Sequence, residues 1–262
     1  MAGTLGTVNR SSAALLEEAA ATPTAGWDFA WLGERMSVVT SLSWDFAAMA
    51  TDAFKEAKAA LDLGTGGGEF LAERPVLPAL TAATESWTPN VAVAARRLAP
   101  RGVTVMHTEA AIDNHQQRDR DPKGRLPFAD ACFDLVVSRH EAFVASEVAR
   151  VLAPEGTFLT QQANSAKDQF CVLLGLRPRL RAALDLDLLV GQVRETGLEV
   201  AAAATGVEEV RFADIGALAW YLRMVPWAVP GFDILTHRQA LEAASSCDLT
   251  FYQERFWLRC RR

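Results

Sequence analysis

Four glycines in five residues, Gly64, Gly66, Gly67 and Gly68, follow an apolar run that holds one acid, Asp62. The run Ala59-Ala60-Leu61-Asp62-Leu63 reads as a buried strand, and a helical pattern starts at Glu69. A strand, a glycine turn and a helix in that order bring backbone N–H groups and a helix N-terminus close to a ligand. The spacing limits what that ligand is. In a dinucleotide fingerprint, G-x-G-x-x-G, the third glycine counted from Gly64 would be Glu69, and counted from Gly66 it would be Leu71. The phosphate-cradling G-x-x-x-x-G-K-[ST] fails because no lysine follows. What fits is D-x-G-x-G-x-G, with Asp62, Gly64, Gly66 and Gly68 in register. Glu85 lies 21 residues beyond Gly64, the distance at which an acid hydrogen-bonds a ribose diol in nucleotide folds. Trp87 follows, either as a stacking surface for a base or as an ordinary core or surface aromatic.

A second group of reactive types is Ser138-Arg139-His140-Glu141, directly after the apolar run Phe133 to Val137. In open α/β sheets, ligands bind beyond the carboxyl ends of strands, so these four residues are expected beside the ligand. His140, with Glu141 adjacent, is the candidate general base for a hydroxyl acceptor. The competing reading gives it a structural or cofactor-shaping role.

Two further stretches extend the pattern. Leu126-Pro127-Phe128-Ala129-Asp130-Ala131-Cys132-Phe133-Asp134-Leu135-Val136-Val137 begins 62 residues after Gly64, and Glu147 to Gly156 reads E-V-A-R-V-L-x-P-x-G. Together with the glycine turn they make residues 58–162 resemble the class I S-adenosylmethionine (SAM) methyltransferases, in the broad type 11 set that includes quinone-biosynthesis enzymes. The resemblance implies a Rossmann-like, seven-stranded, mostly parallel sheet in the order 3-2-1-4-5-7-6, its last strand inserted antiparallel. It implies SAM as cofactor, with Asp62 toward the ammonium, Glu85 on the ribose, Gly64, Thr65, Gly66 and Gly68 around the methionine end, and Ser86, Trp87, Ser138 and Arg139 nearby. Such a cofactor brings a cationic amine and a sulfonium rather than a pyrophosphate, which agrees with an acid at position 62. The family's link between its third strand and the L-P-F motif is short; here residues 107–125 form a long, polar, mixed-charge insertion that departs from it. Glu109 is the nearest match to the adenine-contacting acid. His107 and His115 lack cysteine or carboxylate partners at metal-ligand spacing, so no metal is expected.

The elements that must position these groups are read in chain order. Ser11-Ser12 starts a helix through about Ala21, and Pro23 ends it. An aromatic-rich stretch with Trp27, Phe29, Trp31, Trp44 and Phe46 precedes a helix at about 45–58. It reads as a helical cap packed on the core, as a lid over cofactor and substrate, or as both. Residues 1–57 are therefore assigned to a cap and 58–262 to the cofactor domain. A substrate-side segment is expected at about 205–235. Further strands are expected at Ala79 to Thr84, Val103 to Met106, Thr157 to Gln161, Leu198 to Ala204, Glu208 to Phe212 and Phe251 to Cys260. Helices are expected at about 68–74, 88–98, 141–152, 166–175, Leu184 to Thr196, Ile215 to Met224 and His237 to Ser246. Trp27, Trp31, Arg35, Gln162, Trp220 and Trp227 are the candidates for an acceptor pocket, with Arg35 as the cation for an anionic group. Arg255, Arg259, Arg261 and Arg262 read as a solvated basic end.

Composition narrows the partners. Half of the 262 residues are hydrophobic and the formal net charge is −6, whereas a nucleic-acid partner usually demands a basic face. The four cysteines are far apart with no C-x-x-C, as in a cytosolic protein that keeps its thiols reduced. With no signal peptide and no run of 18 apolar residues, a cytoplasmic location away from the membrane is expected. The expected activity is SAM-dependent methyl transfer to a small-molecule O, N or C nucleophile. The alternatives are an RNA base methyltransferase and a SAM-binding protein without catalysis. Oligomeric state is not legible.

Overall fold

Asp62 lies on one of the inner strands of an eight-stranded sheet. The computed structural model describes residues 10–24, 27–109, 111, 114, 125–164, 168–178 and 184–262. The strands are β1 (Met36–Thr40), β2 (Ala59–Leu63), β3 (Leu80–Glu85), β4 (Thr104–His107), β5 (Phe133–Arg139), β6 (Leu152–Ala163), β7 (Glu199–Phe212) and β8 (Thr250–Arg261). The helices are α1 (Ser12–Ala21), α2 (Phe46–Glu56), α3 (Glu69–Ala72), α4 (Thr88–Leu98), α5 (Ala145–Val151), α6 (Gln169–Leu173), α7 (Leu186–Glu195), α8 (Ile215–Met224) and α9 (Arg238–Ala244).

The sheet order is β1-β7-β8-β6-β5-β2-β3-β4. Strands β4, β3, β2, β5 and β6 run parallel, and β8 is inserted antiparallel between β6 and β7. Seven strands follow the expected order. The eighth, β1, pairs antiparallel with β7 at the edge (Met36 opposite Phe212, Val38 opposite Val210) and was not expected. Its five residues sit between Arg35 and a proline-free loop and have no partner strand near in sequence. A five-residue run carries little pattern of its own, and four of the five residues are exposed. The two strands read at 198–204 and 208–212 are one continuous strand, β7, since Gly206 passes through it without a turn. There Trp44 comes down on the bare glycine: a Cβ at Gly206 would lie 2.9 Å from its ring.

Parallel strands covered on both faces need apolar side chains in both directions. Strand β5 shows this: Leu135 and Val137 join Phe46, Phe54, Leu71 and Leu98 on one face, while Val136 joins Phe158, Val148 and Leu189 on the other. Each such side chain, fully buried, contributes about 1.5–3 kcal/mol. A third cluster stands apart from these two. It joins Leu16 and Ala19 of α1 and Leu32 to Trp220, Leu222 and Leu218 of α8 and Leu241 of α9. The N-terminal helix is thus packed on the segment some 200 positions later in the chain.

Polar contacts lock that docking. Arg35 donates two hydrogen bonds to Asp214, Nε to Oδ2 at 2.9 Å and Nη2 to Oδ1 at 2.8 Å. Asp214 also caps α8 by accepting from the Ala217 N–H at 2.9 Å. The Arg35 guanidinium and the cap hold the Asp214 carboxyl below its usual range against the opposing effect of burial. Arg223 reaches back from α8 to the Thr22 carbonyl at 2.8 Å.

Candidate functional site

The carboxyl ends of β2, β3 and β5 converge on the glycine turn. Gly64, Gly66 and Gly68 all have positive φ (68°, 63° and 83°), the left-handed region that a side chain strains. Gly68 caps α3, and a Cβ there would press on Leu98 of α4 at 2.9 Å, so this glycine seats the two helices together.

Glu85, at the end of β3, is buried and reaches across to the turn. Its Oε2 accepts from the Gly66 N–H at 2.7 Å and its Oε1 from the Trp87 N–H at 2.7 Å. These bonds fix the carboxylate plane beside the turn. Burial still pushes the Glu85 carboxyl up, against the pull of the Trp87 and Gly66 N–H groups. Asp62, 3 % exposed, is pushed up to about 7 by burial, with the Thr65 hydroxyl and the Arg139 guanidinium opposing the rise and Glu85 adding to it. Glu141 is pushed up to about 7 by burial and by the charges of Glu85 and Asp62. The three carboxyl groups therefore cluster around the turn, where the charge of Glu85 disfavours ionisation of Asp62 and Glu141 and that of Asp62 disfavours ionisation of Glu141.

A cleft of about 360 Å³, counting its open mouth, runs from Gly64 past Thr84, Ser86 and Glu109 to Glu141 and Phe143. Asn114, buried within the long insertion, anchors the rim by accepting from the Phe143 N–H at 3.0 Å. The rest of that insertion, including His115, lies outside the described residues apart from its two ends and Ala111. Trp87 is half exposed at the mouth, as the residue preceding α4. Thr88 is the first residue of α4.

Two further glycines of the turn are covered by side chains distant in sequence. A Cβ at Gly66 would lie 2.4 Å from Cδ1 of Trp27, and one at Gly64 would lie 2.3 Å from Cγ of Glu141. The Trp27 indole sits between Trp87 (centroids 6.4 Å apart) and Trp227 (5.1 Å). Glu141 was expected at a helix start; α5 begins only at Ala145, and Glu141 belongs to the loop that folds back over Gly64.

His140 has φ 63°, an uncommon conformation for a residue other than glycine. Its own surface is open to solvent, while protein surrounds it at longer range. Burial, then the charges of Arg255 and Arg139, hold its imidazole well below the usual histidine range, so it is neutral at pH 7. Its N–H backbone donates to the Gln161 carbonyl at 2.8 Å. Gln161 accepts from Trp44 Nε1 at 2.8 Å through Oε1, which leaves its amide nitrogen facing His140 Nε2 at 3.4 Å. That network assigns the ring proton to Nδ1. Ser138 is buried, its hydroxyl donating to the Glu141 carbonyl at 3.3 Å.

The substrate candidates divide. Trp27 and Trp227 meet over the turn. Gln162 is buried, its amide spent on the Glu141 carbonyl at 3.0 Å and Thr160 at 2.9 Å. Trp31 packs on Trp220, which is 2 % exposed, and both lie in the cluster under α8 rather than on a cavity wall. Arg35 is committed to Asp214 and stacked on Trp31, so it offers no cation to a substrate. The basic end also reads differently in three dimensions: Arg255 is paired with Glu208 at 3.3 Å and its side chain is mostly buried. Its position opposite Gly206 on one neighbouring strand and Ala163 on the other was not readable from the chain. Among the described residues no group of three or more His, Cys, Asp or Glu could hold a metal ion, and no helix is long and apolar enough to cross a membrane.

The site fits the cofactor that the motifs imply. The oriented Glu85 carboxylate suits a diol, and the clustered carboxyls of Asp62, Glu85 and Glu141 suit a cation and would repel a pyrophosphate.

Comparison with known proteins agrees. Residues 61–160 match the family described as "Methyltransferase domain". No curated protein matches the sequence. Among solved structures, a functionally unknown protein from Deinococcus radiodurans R1 superposes with a TM-score of 0.57 at 14% identity, covering 89% of this chain and 96% of that one. A candidate methyltransferase from Bacillus halodurans C-125 gives 0.55 at 20% identity (83% and 98% covered). The YcgJ protein from Bacillus subtilis gives 0.56 at 17% identity (83% and 97% covered). At these identities the superpositions establish the fold.

Proposed function

Because this chain is a SAM-dependent methyltransferase of the type 11 family, we propose that its acceptor is a small molecule and that the turn at 62–68 with Glu85 holds the cofactor. The observation that carries this reading is the pair of 2.7 Å bonds from the Gly66 and Trp87 N–H groups, which hold the Glu85 carboxylate against the glycine turn. Bound there, the cofactor supplies a methyl group on a sulfonium that needs no further activation as a leaving group. The protein's work is then placement and exclusion of water. Glu85 holds the diol, Asp62 balances the ammonium, and the glycines let the backbone close in. Ser138 and Arg139, at the end of β5, and Thr65, Ser86, Trp87 and Glu109, around the cleft, complete the cofactor side.

His140 has a positioning role in this reading. A general base needs a free lone pair, and the Nε2 lone pair faces the Gln161 amide while Nδ1 carries the proton. Trp44 and Gln161 hold the neutral ring at the carboxyl end of β5, the side on which the cofactor would lie. The negative net charge supports a small acceptor over RNA.

Calorimetry tests the cofactor assignment. SAM and S-adenosylhomocysteine should bind in the micromolar range, on the order of −8 kcal/mol. Glu85→Ala should weaken both by about 1–3 kcal/mol through lost charge-assisted bonds to the diol. NADH bound in their place, or unchanged affinity in Glu85→Ala, would overturn the reading. Tight, steeply salt-dependent RNA binding would overturn the small-molecule half of it.

A further inference from the structure

Of the three carboxyls around the turn, Glu141 is the one without a donor. Glu85 accepts from the Gly66 and Trp87 N–H groups, and Asp62 has Thr65 and the Arg139 guanidinium beside it. Among the described residues no hydrogen bond or ion pair reaches the Glu141 carboxylate. Burial and the charges of Glu85 and Asp62 all disfavour its ionisation. A carboxylate so placed is costly unless a cation joins it.

Its backbone is nonetheless fixed by two buried polar side chains. Ser138 of β5 donates to the Glu141 carbonyl at 3.3 Å, and Gln162 of β6, 2 % exposed, donates to the same carbonyl at 3.0 Å. The loop held in this way lays the Glu141 side chain against Gly64, where a Cβ would meet its Cβ, Cγ and Cδ. Glu141 also lines the cleft, together with Gly64, Thr84 and Ser86.

The cofactor assigned to this cleft has two cations of different kinds. Its ammonium carries N–H groups and suits a carboxylate that can take directed hydrogen bonds. Its sulfonium has no hydrogen on the charged atom, so a counter-ion meets it by charge alone. In the covalent structure of SAM the sulfur joins the amino-acid chain to the ribose. With Asp62 toward the ammonium and Glu85 on the ribose, the stretch between them belongs to a residue that lies on Gly64 and is within reach of both charges. Glu141 meets both conditions.

We propose that Glu141 is the counter-ion of the sulfonium and the residue that makes this protein prefer SAM to S-adenosylhomocysteine. The inference rests on the cofactor reading above and deepens it. Toward S-adenosylhomocysteine, whose sulfur is a neutral thioether, the Glu141 carboxylate has no partner. It therefore holds the product less tightly than the methyl donor, and the preference is a difference between two affinities.

Calorimetry on the full chain, with SAM and S-adenosylhomocysteine as probes, tests this at pH 8, above the value of about 7 to which its surroundings push the Glu141 carboxyl. The parent should bind SAM about tenfold more tightly than S-adenosylhomocysteine, as expected for one charge pair in a partly open cleft. Glu141→Gln keeps the shape and removes the charge. It should weaken SAM by about tenfold and leave S-adenosylhomocysteine within about twofold. Glu85→Ala supplies the contrast: both probes carry the diol, so both should weaken alike and the parent's ratio should survive. Thermal unfolding of each variant checks that it is folded, and the ratio in the parent needs no variant. Equal affinities in the parent would overturn the proposal and leave the cofactor reading standing. So would a Glu141→Gln variant that weakens both probes alike or neither. If neither probe binds the parent, both readings fall together.

Discussion

Replacing Gly66 by alanine asks two things of the structure at once. The backbone there has φ 63°, where an L residue pays roughly 1–2 kcal/mol. The new methyl would also arrive 2.4 Å from Trp27 Cδ1, far inside contact distance. The indole is held between Trp87 and Trp227 and has little room to retreat, so overpacking adds about 1–3 kcal/mol. The expected loss is about 2–5 kcal/mol, or a fall in Tm of about 4–20 °C for a chain of this size.

The two contributions separate in a double-mutant cycle measured by denaturant unfolding. In a Trp27→Ala background the clash is gone and Gly66→Ala should cost only the backbone share, about 1–2 kcal/mol. Gly102→Ala supplies an internal reference. Gly102 has φ 70° and nothing within 4 Å of a built Cβ, so it reports backbone strain alone. A cost at Gly66 that is the same in both backgrounds within about 0.5 kcal/mol, and equal to that at Gly102, would refute the contact between Trp27 and the turn.

Other expectations follow from the same site. Asp62 and Glu141 have folded-state values of about 7, above their ordinary 3.8 and 4.5, so the native state holds extra protons between about pH 4 and 7. Unfolding free energy should fall as pH rises through that window and flatten above it, and Asp62→Asn should flatten the slope; stability rising from pH 4 to 7 in the parent would contradict the burial of these groups. SAM affinity should climb with pH from 6 to 8, by up to about tenfold per unit for each proton lost, because a cation favours the ionised carboxyls; a pH-independent Kd refutes this. For His140, the left-handed backbone predicts that His140→Gly is more stable than His140→Ala by about 1 kcal/mol. The positioning role predicts that His140→Gln keeps most of the turnover that His140→Ala loses, whereas equal loss in both would restore the general base.

The parallel half of the fold was legible because its signals are local. A buried strand, a glycine turn and a capped helix all occur within residues 59–72, and the acid at position 85 follows at a fixed distance set by one strand–helix–strand unit. The sheet order beyond that came with the family resemblance. Where the sequence reading stopped short, the missing information was the identity of a partner. Strand β1 is a strand only because β7 offers it an edge. Arg35 is an ion-pair residue only because Asp214, 179 positions later, caps α8 beside it. Arg255 looked like part of a solvated tail because charge is what a sequence displays, while Glu208 on the neighbouring strand is what removes it from solvent.

The same logic explains why tryptophan was harder to place than glycine or aspartate. Of the seven tryptophans, Trp220 and Trp27 have similar local surroundings in the sequence, apolar and aromatic. One is sealed in the α1–α8 cluster and the other lies on the turn at Gly66. What separates them is which face of which element the first helix covers. Helix α1 buries Leu16 and Ala19 against α8, and Arg35 pins the following turn to the start of α8. The chain between these two anchors is short, so Trp27 must cross the open end of the sheet near the glycine turn. An N-terminal helix that docks on the C-terminal segment thereby brings one indole over Gly66 and against Trp227. Burial of apolar surface under α8, rather than any contact made by Trp27 itself, supplies the energy that holds it there.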